Sequence, residues 1–179
     1  MLTNIANFNQ NGDWFYLVIA AIVVDFIVIA LAKYPGPRPY FKVAALNEWY
    51  DRFGVLAAIS DIGSALIGIG AARYIYTWAS FTGSLLFIAC IIAFQLFHDI
   101  FFYLAIILKL PKGENQMIDV FKSYAAENGG KILVADALIL LGTAGIGSFL
   151  KSLPTHYTVS TGLLATYAMT YILYTKKAI

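Results

Sequence analysis

Five apolar runs, four of them close to 20 residues long and the third longer, constrain this chain more than any other feature. At 1.5 Å of rise per residue, about 20 residues cross a hydrocarbon layer of about 30 Å as an α-helix. The runs cover positions 14–32, 53–74, 80–108, 132–150 and 157–174. The third lies within an apolar stretch from 78 to 108, about 46 Å as a helix, so it tilts or its first turns (78–83) project beyond the membrane. Two spans do not fit there, since each would have about 15 residues with no turn between them. The expected fold is therefore an all-α membrane protein, one transmembrane domain over residues 1–179 with about five spanning helices. Ala30-Leu31-Ala32 resembles a signal-peptide cleavage pattern, but no Lys or Arg precedes the first run and Asp25 interrupts it. It reads as a retained span.

Composition agrees. Hydrophobic residues make up 60% of the 179 and charged residues 12%, with mean hydropathy +0.75. Soluble domains carry about 25% charge, and a core this small could not hide so much apolar surface. Basic residues are scattered singly, which excludes a nucleic-acid face. The single cysteine, Cys90, lies within an apolar run, so neither an intrachain disulfide nor a thiolate metal site is available.

The distribution of Lys and Arg sets the orientation. Between successive runs, starting before the first and counting Arg73 at the end of the second run with the loop that follows it, the counts are 0, 4, 1, 4, 1 and 2, which places ten on one side and two on the other. The positive-inside rule puts the ten in the cytoplasm, the N-terminus outside and the C-terminus inside. Both long cytoplasmic loops follow one plan. Pro35-Gly36-Pro37-Arg38-Pro39 breaks the chain before an amphipathic segment at 41–52, with Phe41, Ala45 and Trp49 four apart. Pro111-Lys112-Gly113 precedes a second at 115–128, with an apolar face of Met117, Phe121, Tyr124 and Ala125, ended by Gly129-Gly130. These two short interfacial helices read as membrane-surface struts or as docking surfaces for a partner.

Four spans each contain an aspartate: Asp25, Asp61, Asp99 and Asp136. Each costs about 2.5–3.5 kcal/mol at a helix centre facing lipid, so the four should face the bundle interior, be protonated, or line water. With the orientation above they fall in one layer, from the midplane to about 8 Å on its cytoplasmic side. His98 is the one candidate cation at that depth. Polar neighbours recur at helical spacing. Ala57, Ser60, Asp61, Ser64, Gly68 and Ala72 form a small polar stripe on the second span; Gln95, Asp99 and Tyr103 line the third; Asp136, Thr143 and Gly147 share a face of the fourth. Ser64, Gly68 and Ala72, with Thr143 and Gly147, have the small-xxx-small spacing of close helix contacts. Two readings stand. The acids are polar glue between spans, or Asp25, Asp61, Asp99 and Asp136, with Gln95, Ser64 and His98, form a proton or cation site in a channel or transporter.

Enzyme signatures are missing. There is no interior lysine for a retinal Schiff base, no TVGYG-like filter, no HExxH and no metal-spaced His/Cys cluster. Adjacent on a helix, His98 and Asp99 should point about 100° apart and not form a catalytic pair with each other. No catalytic residue, metal or cofactor is expected. The partners expected are the lipid bilayer, a second copy, or other membrane or capsid proteins reached through helices 41–52 and 115–128.

The second and fourth spans run the same way, each after an amphipathic segment. Aligning Asp61 with Asp136 also matches Leu66 with Leu141 and Gly70 with Gly145, the trace of a parallel repeat. Two segments carry a further likeness. One is Leu46-Asn47-Glu48-Trp49-Tyr50-Asp51-Arg52-Phe53 with Ala58-Ile59-Ser60-Asp61 and Ile67-Gly68. The other is Gln95-Leu96-Phe97-His98-Asp99, Met117-Ile118-Asp119, Phe121-Lys122-Ser123-Tyr124-Ala125 and Ala135-Asp136. Over about residues 46–140 the chain resembles multi-pass membrane proteins of large nucleocytoplasmic DNA viruses, including algal giant viruses. The resemblance implies a setting, a virion inner membrane or a virus-modified host membrane, and a structural or scaffolding role. It supplies no activity or catalytic residue.

Overall fold

The computed structural model describes residues 2–33 and 43–175, and within them every regular element is helical. After a 3₁₀ turn at Leu2–Ile5 come α1 (Asp13–Lys33), α2 (Ala44–Phe53), α3 (Val55–Trp78) and α4 (Ser84–Phe102), the last prolonged by a π-turn at Tyr103–Ile107. Then follow α5 (Gln116–Asn128), α6 (Lys131–Lys151) and α7 (Thr155–Leu173). Four helices, α1, α3, α4 with its π-turn, and α6, are long and apolar enough to cross a membrane. The 19-residue α7 carries six Ser or Thr hydroxyls and three tyrosines, which make it the more polar helix.

Element ends follow local chemistry. Asn115 caps α5 by accepting from the amides of Met117 and Ile118. The long third run is not one helix from its first residue. Helix α3 continues to Trp78, the chain turns through 79–83 with Ser80 at φ 53°, and α4 starts only at Ser84. The first amphipathic helix, expected at 41–52, is seen from Ala44 to Phe53; positions 41 and 42 and the proline-rich turn at 35–39 lie outside the described residues.

Helices α1, α3, α4 and α6 form a four-helix core, in which α1 touches α3 and α6, and α4 touches α3 and α6. Helix α7 lies outside this core, packed chiefly on α1 through Thr158, Gly162, Ala165, Met169 and Leu173. The approach is close: a Cβ on Gly162 would come within 2.5 Å of Ile19 Cδ1. Two apolar clusters divide the core along its length. One, here the cap end, joins Ile5 and Leu17 to Ile69, Ala72, Phe87, Ile91 and Ala144. The other, the platform end, joins Ile29 and Ala58 to Trp49 and Tyr50 of α2, Val120 of α5 and Leu173 of α7.

The traced repeat has a backbone counterpart. The offset that carries Asp61 onto Asp136 also carries Gly54 onto Gly129. Gly54 joins α2 to α3 with φ 51° and ψ −123°, and Gly129 ends α5 before α6 with φ 52° and ψ −137°. L-residues avoid that conformation, so glycine is needed at both corners. Each corner amide bonds the carbonyl four residues back, Tyr50 and Ala125 respectively. The repeated unit is therefore an interfacial helix, a glycine corner and two long helices: α2–α3–α4 and α5–α6–α7.

Candidate functional site

Measured along each helix, the four aspartates lie from about 3 Å (Asp25) to about 9 Å (Asp99) from the helix midpoint, all towards the platform end. They also converge laterally. Asp25 and Asp61 are within electrostatic range of each other, and Asp136 is within range of both Asp99 and Asp61. A contact between three helices holds this level together: a Cβ on Gly68 of α3 would meet Leu140 Cδ2 of α6 at 2.6 Å and Gln95 Oε1 of α4 at 3.5 Å.

The four carboxylates differ in their partners. Asp61 is held from α2: Trp49 Nε1 donates to its two oxygens at 3.2 and 3.0 Å, and Tyr50 Oη donates to Oδ2 at 3.1 Å. Asp99 is held within α4 by Gln95 Nε2 at 2.6 Å. His98 Nδ1 also lies 3.2 Å from Asp99 Oδ1, so these neighbours do meet, contrary to the divergence expected on a helix. The His98 ring is stacked between Phe94 and Phe102, which fixes the plane in which Nδ1 reaches the carboxylate. Asp25 is only 6% exposed, and its Oδ2, like the Oδ2 of Asp99, is buried with no hydrogen-bond partner among the described residues. No three His, Cys, Asp or Glu side chains among the described residues are grouped to hold a metal ion.

Of the small residues, Gly68, Ala72, Thr143 and Gly147 are buried between helices, and a Cβ on Gly147 would lie 3.1 Å from Leu17 Cδ2. Ser64 is instead exposed and turns its hydroxyl back to the Asp61 carbonyl at 2.9 Å. The stripe expected on α3 is thus split: Ala57, Gly68 and Ala72 face the bundle, Ser60 and Ser64 face outwards.

The platform is tied down at several points. Glu127 of α5 accepts from the Ala44 and Ala45 amides, at 2.8 and 3.0 Å, at the start of α2. Those two bonds hold its carboxyl below the usual glutamate range. Lys33, ending α1, pairs with Asp51 of α2. The Tyr50 phenol is pushed well above its ordinary pKa by burial and by the nearby Asp61 and Asp25. Tyr124 on α5 is pushed up to about 12 by burial, then by Asp136, Asp61, Glu127 and Asp99. Tyr124 is also the repeat counterpart of Trp49, each twelve residues before its aspartate. In the first unit the bond from α2 to Asp61 is made; in the second Tyr124 only approaches Asp136.

A second polar network, at the cap end, escapes sequence reasoning. Arg73 reads from sequence as a loop cation but lies inside α3 with 0% exposure. Its Nη2 donates to the carbonyls of Asn7 and Gln10, at 2.5 and 3.0 Å, and pairs with Asp13 Oδ2 at 3.5 Å. Trp14 lies under the guanidinium at 5.1 Å. Lys151 pairs with Asp13 Oδ1 at 2.5 Å and donates to the Asn4 carbonyl. The N-terminal segment is thereby folded over the ends of α3 and α6. The available signal was the 3.6-residue phase of α3, in which Arg73 follows Ile69 and Ala65 on the buried face. Set beside known proteins, the chain matches no family model, no curated protein and no solved structure.

Proposed function

We propose that this chain is a five-span, non-enzymatic scaffold of a membrane, with its N-terminus outside, its C-terminus in the cytoplasm, and α2 and α5 held rigid as a cytoplasmic docking platform. The observation that carries this reading is the use made of Asp61. An intramembrane carboxylate accepts from Trp49 and Tyr50 of α2, so its polarity is spent on fixing an interfacial helix. Glu127 and Lys33 secure the same helix from α5 and α1. As the fifth span, α7 has 19 residues, about 28 Å of helix, and one face buried on α1. The ten-to-two division of Lys and Arg supports the orientation. A virion inner membrane or virus-modified host membrane rests on the resemblance over residues 46–140.

One observation favours a second reading, a proton- or cation-conducting path: the buried Oδ2 atoms of Asp25 and Asp99 in the acidic layer, neither with a hydrogen-bond partner among the described residues. Reconstitution in liposomes separates the two. The scaffold reading expects no proton or potassium flux under an imposed gradient, for wild type and for Asp25→Asn alike. A flux lost in Asp25→Asn would replace it with the conducting reading. Absence of the protein from purified virions would remove the virion placement alone.

A further inference from the structure

An open trough runs from the cap end of α3 along the outward side of α4. Its volume is about 500 Å³, and it is lined by Ile75 of α3, Phe81 of the turn, and α4 from Leu86 to Phe97, with the small, exposed Ala89 and Ala93 in its middle. Among the described residues no charged or hydroxyl side chain lines it. From Leu86 to Phe97 is about 16 Å of helix. Phe97 stands within one turn of the middle of the Ser84–Ile107 span, so the trough extends from the cap end to the midplane, the depth of one leaflet. A hydrocarbon chain lying there touches protein on several sides, where a flat helix face offers one, and each added contact adds dispersion attraction.

A second pocket, of about 260 Å³, borders the same turn of α3. Tyr74, Thr77 and Trp78 line it together with Phe8 and Asn9 of the N-terminal segment. The Phe8 and Tyr74 rings stand at 84° with centroids 5.5 Å apart, forming a corner, and Trp78 follows Tyr74 by four residues on the same side of α3. Aromatic faces attract a cation, and a trimethylammonium needs no hydrogen-bond acceptor. A primary ammonium has three donors to satisfy, and here Thr77 Oγ1 is already engaged by the Phe8 amide at 2.8 Å and the Ala6 carbonyl at 3.5 Å. In the adjoining network Arg73 and Lys151 outnumber Asp13. That excess of positive charge disfavours a free cation and suits one that brings its own phosphate.

We propose that these two cavities hold one phosphatidylcholine from the leaflet at the cap end, its trimethylammonium against Phe8, Tyr74 and Trp78 and one acyl chain in the trough on α4. This rests on α3 and α4 spanning the membrane, and the test reports on the two claims separately. The protein is reconstituted in vesicles of equal parts phosphatidylcholine, phosphatidylethanolamine and phosphatidylglycerol with identical chains, released in mild detergent, and its retained lipid identified by native mass spectrometry. Retained phosphatidylcholine should exceed each of the others by about tenfold. Tyr74→Leu/Trp78→Leu, at exposed positions, should bring the three lipids to parity. Ala93→Phe, which fills the trough from an exposed position, should lower retention of phosphatidylcholine by about tenfold. No retained lipid, equal retention of the three, or a preference for another lipid in the unsubstituted protein overturns the proposal. So does retention unchanged in either variant, and so does full displacement by choline chloride, which would mark a site for the free cation. Single cysteines at Ser80 and Lys109, labelled from each side with an impermeant maleimide that does not reach the buried Cys90, read the crossing of α4. Labelling of both from one side removes the span and the lipid site together. Labelling from opposite sides without lipid preference removes the lipid site alone.

Discussion

Neutralising Asp13 should destabilise the bundle more than removing either of its cationic partners. Asp13 is 3% exposed and Arg73 0%, while the Lys151 side chain is 29% exposed. At 3.5 Å the Asp13–Arg73 attraction is about 5 kcal/mol at an effective dielectric constant of 20. In Asp13→Asn the guanidinium stays sealed in the protein with only the Asn7 and Gln10 carbonyls to neutralise it. Stranding a buried charge in this way costs about 3–5 kcal/mol. In Arg73→Met the carboxylate keeps Lys151 at 2.5 Å, and the two released carbonyls belong to exposed residues that water can reach. A loss of about 1–3 kcal/mol is expected there. Lys151→Gln should cost about 1 kcal/mol. Unfolding in mixed micelles with rising SDS, followed by tryptophan fluorescence, gives all three. The sharpest comparison is the double variant Asp13→Asn/Arg73→Met, which removes the stranded charge and should be more stable than Asp13→Asn alone. If the double variant is the less stable of the two, or if Lys151→Gln is as damaging as Asp13→Asn, the reasoning from stranded charge is refuted.

Three further outcomes follow from the other contacts. Trp49→Phe and Asp61→Asn should each weaken the attachment of α2 by about 1.5–3 kcal/mol, read as faster amide exchange across residues 45–53 with the spans still protected. Gly68→Ala sets a methyl 2.6 Å from Leu140 Cδ2 and should cost about 1–3 kcal/mol, with the loss largely restored by Leu140→Val; no rescue would argue against that contact. Glu127 has a lowered pKa, so its support of α2 is complete above the ordinary glutamate value and is lost as pH falls through the depressed one. Exchange at Ala44 and Ala45 should therefore accelerate in acid in wild type and be pH-insensitive, after correction for intrinsic rates, in Glu127→Gln. For Tyr124 the sign is reversed: its raised pKa contributes stability that is present below the ordinary phenol value and is lost as pH rises through about 12, so ultraviolet titration should find one tyrosine ionising there.

What could be read from residues alone was whatever depends on periodicity along one helix. Four of the five expected long apolar helices and the two amphipathic segments follow from spacing and rise and appear in the structure, and the four aspartates lie towards one end of those helices. What could not be read depends on chain direction at a corner. Arg73 looked like a loop cation because polar residues near the end of an apolar run ordinarily mark its exit. In the structure α3 continues to Trp78, and the buried face of the helix carries Arg73 inwards, where the folded N-terminal segment supplies its acceptors.

The partners of Asp61 were hidden for the same reason, although the information was there in another form. A donor on α2 reaches an acceptor on α3 only if the chain reverses tightly between them, and Gly54, with its positive φ, makes that turn. The second unit has the same glycine, the same corner and the same twelve-residue interval from Tyr124 to Asp136, yet no hydrogen bond closes it. Chemistry accounts for part of this difference. In the first unit two consecutive residues donate, an indole N–H and a phenol, and their repeat counterparts are Tyr124 and Ala125, so the second unit has lost one donor outright. Geometry accounts for more: α2 is also held by Glu127 and Lys33, whereas α5 is the element that reaches across to hold it. The two units therefore share a plan and divide the work, one anchored through its aspartate and the other providing the clamp. Tyr124→Trp tests that division directly. If the corner alone decides, the indole N–H, which makes this bond from Trp49 at the equivalent position, should bond Asp136 and slow exchange throughout α5; unchanged exchange would mean that the clamp on α2 sets the position of α5.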